Sequence, residues 1–363
     1  MDRHAVRDGL RVGVDWRLVG RPGRDPADTG RYQQMLTAAL AAAAGPGDDV
    51  WALISWPHAA DLIGPGIGHA GVGRRSGDRA GMLRTLAADA AVFAQLVPTG
   101  VPVPSAVVMH DVLAITHPDW LAPGEGHRTR ARTEATLRRA AVVIAPSRVA
   151  RIDVLSVGDL PDERVVVVPP APSRVFGMRP GAESRVAARF GLGRYCVALG
   201  DSAPRGNLGH LVEAVLRTGS GLTVVSPLSP PRRGRASDGV LFVGPLSDED
   251  RADLLSAARF AACVAFVDGS GLGTLEALAC GVPVLVSDRG ALGEVAGGAA
   301  IVVPPTVNAI AEGIRALGDP VVGDRLRAAG PVRAAVYGGD GTGRAAWDVL
   351  ARVAGRHAAF GAR

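Results

Sequence analysis

The chain has 363 residues, 47% of them apolar and 21% charged, which is enough to bury a large core and favours two domains over one. All 40 basic side chains are arginine against 35 acids, and the net charge of +5 is diluted along the chain without a dense basic block. With only 4% aromatic residues as well, neither a basic nor a base-stacking surface for nucleic acid is indicated.

In chain order, short β-branched runs alternate with longer Ala/Leu segments, the pattern of βα units around parallel sheets. Strands are predicted at 10–15 (LRVGVD), 49–55, 106–110 (AVVMH), 141–146 and 164–169, with helices over 32–44, 79–96 and 126–140. The Gly/Arg-rich stretch 63–78 reads as a mobile loop. A proline-rich break at 169–181 separates this half from a second one. There, strands are predicted at 195–200, 222–226, 240–244, 263–267, 283–287 and 299–304, with helices beginning near Leu208, Ser247, Thr274 and Thr306. Two doubly wound halves of this kind bind ligands at the carboxyl ends of their strands, in a cleft between the halves.

Cys196, Cys263 and Cys280 show neither CxxC nor Cys/His spacing and read as buried free thiols in a reducing cytoplasm. No apolar run approaches the ~20 residues that span a bilayer. The expectation is a cytoplasmic protein, with arginine-rich loops such as PRRGR (231–235) available for peripheral contact with the inner membrane face.

One stretch carries most of the chemistry. In DGSGLGTLEALACG, Asp268 follows a strand, three glycines make a flexible turn, and Thr274–Cys280 form a short helix stopped by Gly281 and Pro283. Glycines before a helix let backbone amides approach a ligand closely, and the helix N-terminus favours an anion. Glu276, eight residues after Asp268, falls near the helix start, where its carboxylate can accept from hydroxyls. From these residues alone two accounts stand level: a phosphate site, or an acid favoured by the helix dipole behind an ordinary Asp-Gly turn.

The segment 268–305 resembles the C-terminal signature of family-4 glycosyltransferases of the GT-B fold, an acidic residue and a Glu separated by seven residues in a context like EGFGLPxLEAMAxGxPV. Other stretches occur in the family's order: VGVDWRL with DTGRY, VVMHDVLAITHPDW, VIAPSRVAR, RVVVVPPAPSRVF and ALGDSAPRGNLGHLVEAV. The resemblance covers roughly residues 10 to 350. It implies a GT-B architecture of two doubly wound Rossmann-like domains with a cleft between them. The acceptor-binding domain would span 1–174 and the nucleotide-sugar-binding domain 175–345, with a C-terminal helix in 346–363 packing back on the first.

Carried over residue by residue, the resemblance implies that Glu276 meets the ribose of the donor and Asp268 the hydroxyls of the transferred sugar. The amides of Ser270, Gly271, Leu272 and Gly273 would hold the diphosphate or nearby sugar, and Arg205 would pair with the leaving diphosphate. His110 would orient the donor sugar, and Gly200 and Gly244 would border the base. Gly30, Arg31 and Tyr32 would form the acceptor-side loop, with a helix-start charge and a packing residue as the plain alternatives for Arg31 and Tyr32. Ser147 and Glu294 match family positions for which capping roles serve equally well. Three residues depart from the family pattern: Asp268 replaces the usual Glu, Gly206 a Lys, and Asp201 an Arg.

The implied activity is a retaining, metal-independent transfer of a hexose, mannose being the named candidate. The donor would be a GDP-sugar or UDP-sugar and the acceptor a glycan, glycolipid or small molecule, with no bound cofactor, no metal and no nucleic-acid partner. The departures keep open a catalytically silent GT-B partner or nucleotide-sugar binder, or a GT-B epimerase or phosphorylase.

Overall fold

The computed structural model describes residues 9–20, 28–73, 76–120, 126–200, 203–229 and 239–355. The chain divides into two compact units at Pro170/Ala171, within the proline-rich stretch, and the segment beginning at Gly339 returns to the first unit. Asp201 and the PRRGR stretch lie outside the described residues.

The first unit contains β1 (Arg11–Asp15), α1 (Asp28–Ala43), β2 (Asp49–Ile54), β3 (Ile67–Gly71), α2 (Ser76–Thr85), β4 (Ala90–Ala94), β5 (Ser105–Val108), α3 (Leu113–Thr116), α4 (Gly126–Arg139), β6 (Val142–Ala145), α5 (Arg148–Val157) and β7 (Val165–Val167). Among the described residues its sheet is seven-stranded, in the order β3-β2-β1-β4-β5-β6-β7, and every pairing is parallel. The side-chain period of two sorts the strands between two cores. Val12, Val14, Val92, Val108 and Ile144 face one side with Leu36 and Leu40 of α1. Ala91, Phe93, Val107 and Val143 face the other with Leu83 of α2 and Val154 of α5.

The second unit contains α6 (Ala182–Phe190), β8 (Tyr195–Ala198), α7 (Leu208–Thr218), β9 (Thr223–Ser226), β10 (Val240–Phe242), α8 (Asp248–Ser256), β11 (Ala261–Cys263), α9 (Leu272–Ala279), β12 (Val284–Ser287), α10 (Leu292–Ala296), β13 (Ile301–Val303), α11 (Val307–Leu317) and α12 (Pro320–Ala335). Its strands run β10-β9-β8-β11-β12-β13, again parallel throughout. The last helix, α13 (Gly339–Val353), belongs to the first unit, where buried Trp347 donates from Nε1 to the Leu40 carbonyl at 2.9 Å and Thr342 to that of Pro169.

Three expectations are corrected. The helix predicted over 79–96 is α2 followed by β4, because Ala87 takes a left-handed φ of 47° and residues 90–94 fill the slot between β1 and β5. Alanine there favours a helix locally, but a fully buried strand position outweighs that weak preference. The stretch 63–78 contains edge strand β3 and the start of α2 instead of a loop alone. Gly68 belongs in that strand because the Trp51 ring lies over it, only 2.8 Å from where a β-carbon would sit. The strand predicted at 263–267 is β11 at Ala261–Cys263, and the residues after it leave the ladder to bond other loops. Helices α3, α5, α6, α10 and α12 were not anticipated.

Replacing Trp347 with Ala removes a fully buried indole and its hydrogen bond, so the variant is expected to lose about 3–5 kcal/mol of stability. Denaturant unfolding of the purified variant against wild type measures it, and a loss under about 1 kcal/mol would mean that α13 adds little to the first unit.

Candidate functional site

In the second unit, loops from three strand ends are tied together at the carboxyl edge of the sheet. After β8 the chain passes Gly200, at φ 96°, and makes a 3-10 turn over Pro204–Gly206. Asn207 follows at φ 59°, a left-handed conformation that Asn tolerates better than most residues. Its buried amide donates to the carbonyls of Val264 at 2.9 Å and Pro305 at 3.1 Å. The Arg205 carbonyl in turn accepts from Phe266 N at 2.8 Å, which draws the chain after β11 out of the sheet. His210 Nδ1 lies 3.1 Å from the Pro305 carbonyl, and its ring meets Phe266 edge-on. Sequence reasoning singled out Arg205 in this loop and missed Asn207, although a polar residue just before a helix was the available signal.

The glycine-rich loop is organised from within by Asp268. Its Oδ1 accepts from Ser270 N at 3.0 Å and Gly271 N at 2.6 Å, while Leu272 N donates to Ser270 Oγ at 3.3 Å. Three of the four amides predicted to face a diphosphate therefore bond inside the loop, and the half-buried Gly273 follows them as the second residue of α9. Gly271 must be glycine on two counts: its φ is 64°, and a β-carbon would lie 2.7 Å from Val295 Cγ2. Burial pushes the Asp268 carboxyl above the usual carboxylate range, opposed by the two amides, by the nearby Arg205 charge and by the Cys263 thiol, 3.7 Å away. Arg205 and Asp268 thus share one electrostatic environment.

Glu276 lies in the second turn of α9, past the helix start expected for it, and is 1% exposed. Its Oε2 accepts from Arg251 Nε of α8 at 3.1 Å, a buried ion pair that sequence reasoning did not find. Gly244 precedes Pro245 through a cis peptide and packs so closely that a β-carbon would lie 2.3 Å from the Pro227 carbonyl. All three cysteines are free and buried, and burial pushes the Cys196 and Cys280 thiols up to about 12.

In the first unit, Gly30, Arg31 and Tyr32 lie on α1 instead of a loop. Tyr32 is a packing residue: it is fully buried, donates from its hydroxyl to the Val168 carbonyl at 2.5 Å, and meets the His110 ring edge-on at 5.1 Å. Burial raises its hydroxyl pKa. His110 sits just past β5 and is buried. Asp111 accepts from Leu113 N at the start of α3, and Ser147 caps α5 through Ala150 N. A second buried cluster was also missed. Asp15, at the end of β1, pairs with Arg79 at 2.8 Å and Arg17 at 2.6 Å, and Arg79 also donates to Ser55 and Gly73. Burial lowers the Arg17 pKa; the Asp15 charge opposes that and Arg79 adds to it.

Residues 208–319 match the family described as "Glycosyl transferases group 1". The match lies entirely in the second unit. The matched segment begins one residue after Asn207 and contains the Asp268 loop and the Arg251–Glu276 pair. Over 213 residues the chain is 28% identical to O-antigen chain mannosyltransferase B of Escherichia coli, covering 54% of this chain. The chain spans 56% of that relative's length. Sucrose-phosphate synthase from Thermosynechococcus elongatus is similar in fold, with a TM-score of 0.71 at 18% identity over 96% of this chain and 98% of that one. HepE of Anabaena, solved in complex with UDP-glucose, gives 0.73 at 14% identity over 94% and 100%. Each of the two units is a Rossmann-like domain of the kind found in the GT-B fold. Among the described residues no helix is long and apolar enough to cross a membrane, and no group of three or more His, Cys, Asp or Glu side chains is placed to hold a metal.

The raised Asp268 pKa carries a pH signature. A carboxyl whose folded pKa exceeds its unfolded one binds more protons when folded, so its contribution to stability falls as pH rises from about 4 through the folded value. Asp268→Asn keeps an oxygen for the Ser270 and Gly271 amides and removes the charge, so its Tm relative to wild type is expected to climb between about pH 4 and pH 7. Asp268→Ala also loses the amide acceptor and is expected to be about 1–3 kcal/mol less stable than the Asn variant. A Tm difference between Asn variant and wild type that stays flat across this range would contradict the assigned cause.

Proposed function

We propose that the protein is a retaining glycosyltransferase that moves a hexose, mannose first among candidates, from a nucleoside diphosphate sugar to an acceptor hydroxyl. The observation that carries this reading is Arg205 beside the Asp268 loop, with buried Glu276 on the helix that this loop opens, the loop and helix lying in the segment that matches group 1 glycosyl transferases. A mannosyltransferase among the relatives and a UDP-glucose complex among the structural neighbours support the donor class and the named sugar. Arg205 would stabilise the negative charge that grows on the diphosphate as the glycosidic bond breaks. Glu276 would accept from ribose hydroxyls, and His110 would orient the sugar. Configuration would be retained by a same-face displacement in which the leaving phosphate oxygen takes the acceptor proton, so the protein's task is to position reactants and stabilise charge. No metal or bound cofactor is required in this scheme. The acceptor would be a glycan, glycolipid or small molecule, reached in the cytoplasm or at the inner membrane face.

A second reading, a nucleotide-sugar binder without transferase activity, draws on one observation: Asp268 Oδ1 already accepts two loop amides, and a shorter acid replaces the family's Glu.

Calorimetric titration with GDP, UDP, ADP and dTDP tests both. One nucleotide is expected to bind, and Glu276→Ala and Arg205→Ala are each expected to weaken it by roughly tenfold or more, the equivalent of one charge-assisted hydrogen bond. Binding without transfer to any acceptor in a panel, using the sugars carried by that base, would favour the silent binder. Binding of none of the four would overturn the donor site.

A further inference from the structure

The Arg251–Glu276 pair joins two helices that the sequence pattern gives no reason to couple. Arg251 is the fourth residue of α8 and Glu276 the fifth of α9, and their side chains are 7% and 2% exposed. The guanidinium reaches past the glutamate to the helix start: a β-carbon on Gly273 would lie 3.8 Å from its Nη2. One arginine therefore pairs with the carboxylate of Glu276 and lies beside Gly273, near the turn that opens α9.

Removing two charges from water is costly, and an apolar pair of similar volume commonly stabilises a fold as well or better. Stability of the α8–α9 contact alone therefore does not account for an ion pair here. Geometry offers another account. A carboxylate carries lone pairs on both oxygens, so the bond from Arg251 to Oε2 does not exhaust it. A planar guanidinium also restricts rotation of the carboxylate it pairs with, which sets the direction of the other lone pairs before a ligand arrives. Charge works in the same direction. A lone buried carboxylate would repel an approaching diphosphate, whereas the pair is neutral as a unit.

We infer that Arg251 is a positioning residue for nucleotide recognition: it orients and neutralises Glu276 so that the carboxylate accepts the ribose hydroxyls of a nucleoside diphosphate. The inference rests on the reading above in which Glu276 meets the ribose. Arg251 acts through Glu276, so its removal should erode selectivity for those hydroxyls beyond any general loss of affinity.

GDP, UDP and ADP and their 2′,3′-dideoxy forms, titrated into wild type, Arg251→Met, Arg251→Lys and the double variant Arg251→Met/Glu276→Gln, test it. Wild type is expected to prefer the ribonucleotide of its base over the dideoxy form by roughly tenfold or more. Arg251→Met should bring that ratio to about twofold or less, and Arg251→Lys, which keeps the charge without the planar fork, to a value in between. The double variant removes both charges of the pair together, should unfold cooperatively like wild type, and should give a ratio near one. A wild-type ratio in Arg251→Lys, or in a folded Arg251→Met that binds both forms equally more weakly, would make the arginine merely structural and overturn the inference. If Arg251→Met does not fold, the Lys variant decides. A wild-type protein that binds these nucleotides without preferring the ribo form, or binds none of them, would instead overturn the assignment of Glu276 to the ribose, and the role of Arg251 would fall with it.

Discussion

The carboxyl edge of the second sheet depends on the buried amide of Asn207. Its two N–H groups close on carbonyls from two other loops, after β11 and after β13, so a single side chain ties three loops together. A buried amide that lost either acceptor would carry an unsatisfied donor at a cost of about 1–3 kcal/mol, so each bond holds the others in register. The bond from Phe266 N to the Arg205 carbonyl follows from the same arrangement and ends β11 early. Shortening that strand gives residues 264–267 the freedom to deliver Asp268 beside Arg205.

Burial at this edge gives each acid a specific partner. Asp268 is held by two backbone amides and by the charge of Arg205, and Glu276 by the guanidinium of Arg251. The difference between the two has chemical weight. The Asp268 carboxylate spends Oδ1 on the loop itself, so the glycine-rich turn is organised from inside, and the amides it uses are committed there. Glu276 is reached by a side chain from a different helix, so its orientation depends on how α8 packs against α9.

The first unit uses a comparable device at the end of β1. Asp15 is shared between Arg79 and Arg17, and Arg79 extends the network to the ends of β2 and β3 through Ser55 and Gly73. One carboxylate is shared by two guanidiniums, and burial lowers the Arg17 pKa, with the Arg79 charge acting in the same direction. Nearby in the chain, the Tyr32 hydroxyl ties α1 to the residue after β7, and its ring braces His110.

The pattern of β-branched runs and helical segments determined two parallel α/β units, the glycine-rich turn before α9 and the acids on either side of it, because strand period, helix stops and turn chemistry are local properties. The same local rules failed at 79–96, where alanine reads as helix while the slot between β1 and β5 demanded a strand, and at β3, whose glycine is explained by the Trp51 ring across the sheet. The candidate site divides in the same way. Asp268, Glu276 and Arg205 were legible because each lies in a recognisable motif, whereas Asn207, Arg251 and Arg79 act on partners 25 or more residues away in sequence. Residue type and spacing set which groups a segment offers. Only tertiary packing decided which charges were buried, which partners they met, and that the Asp268 carboxylate would turn onto its own loop, because those outcomes depend on where water is excluded.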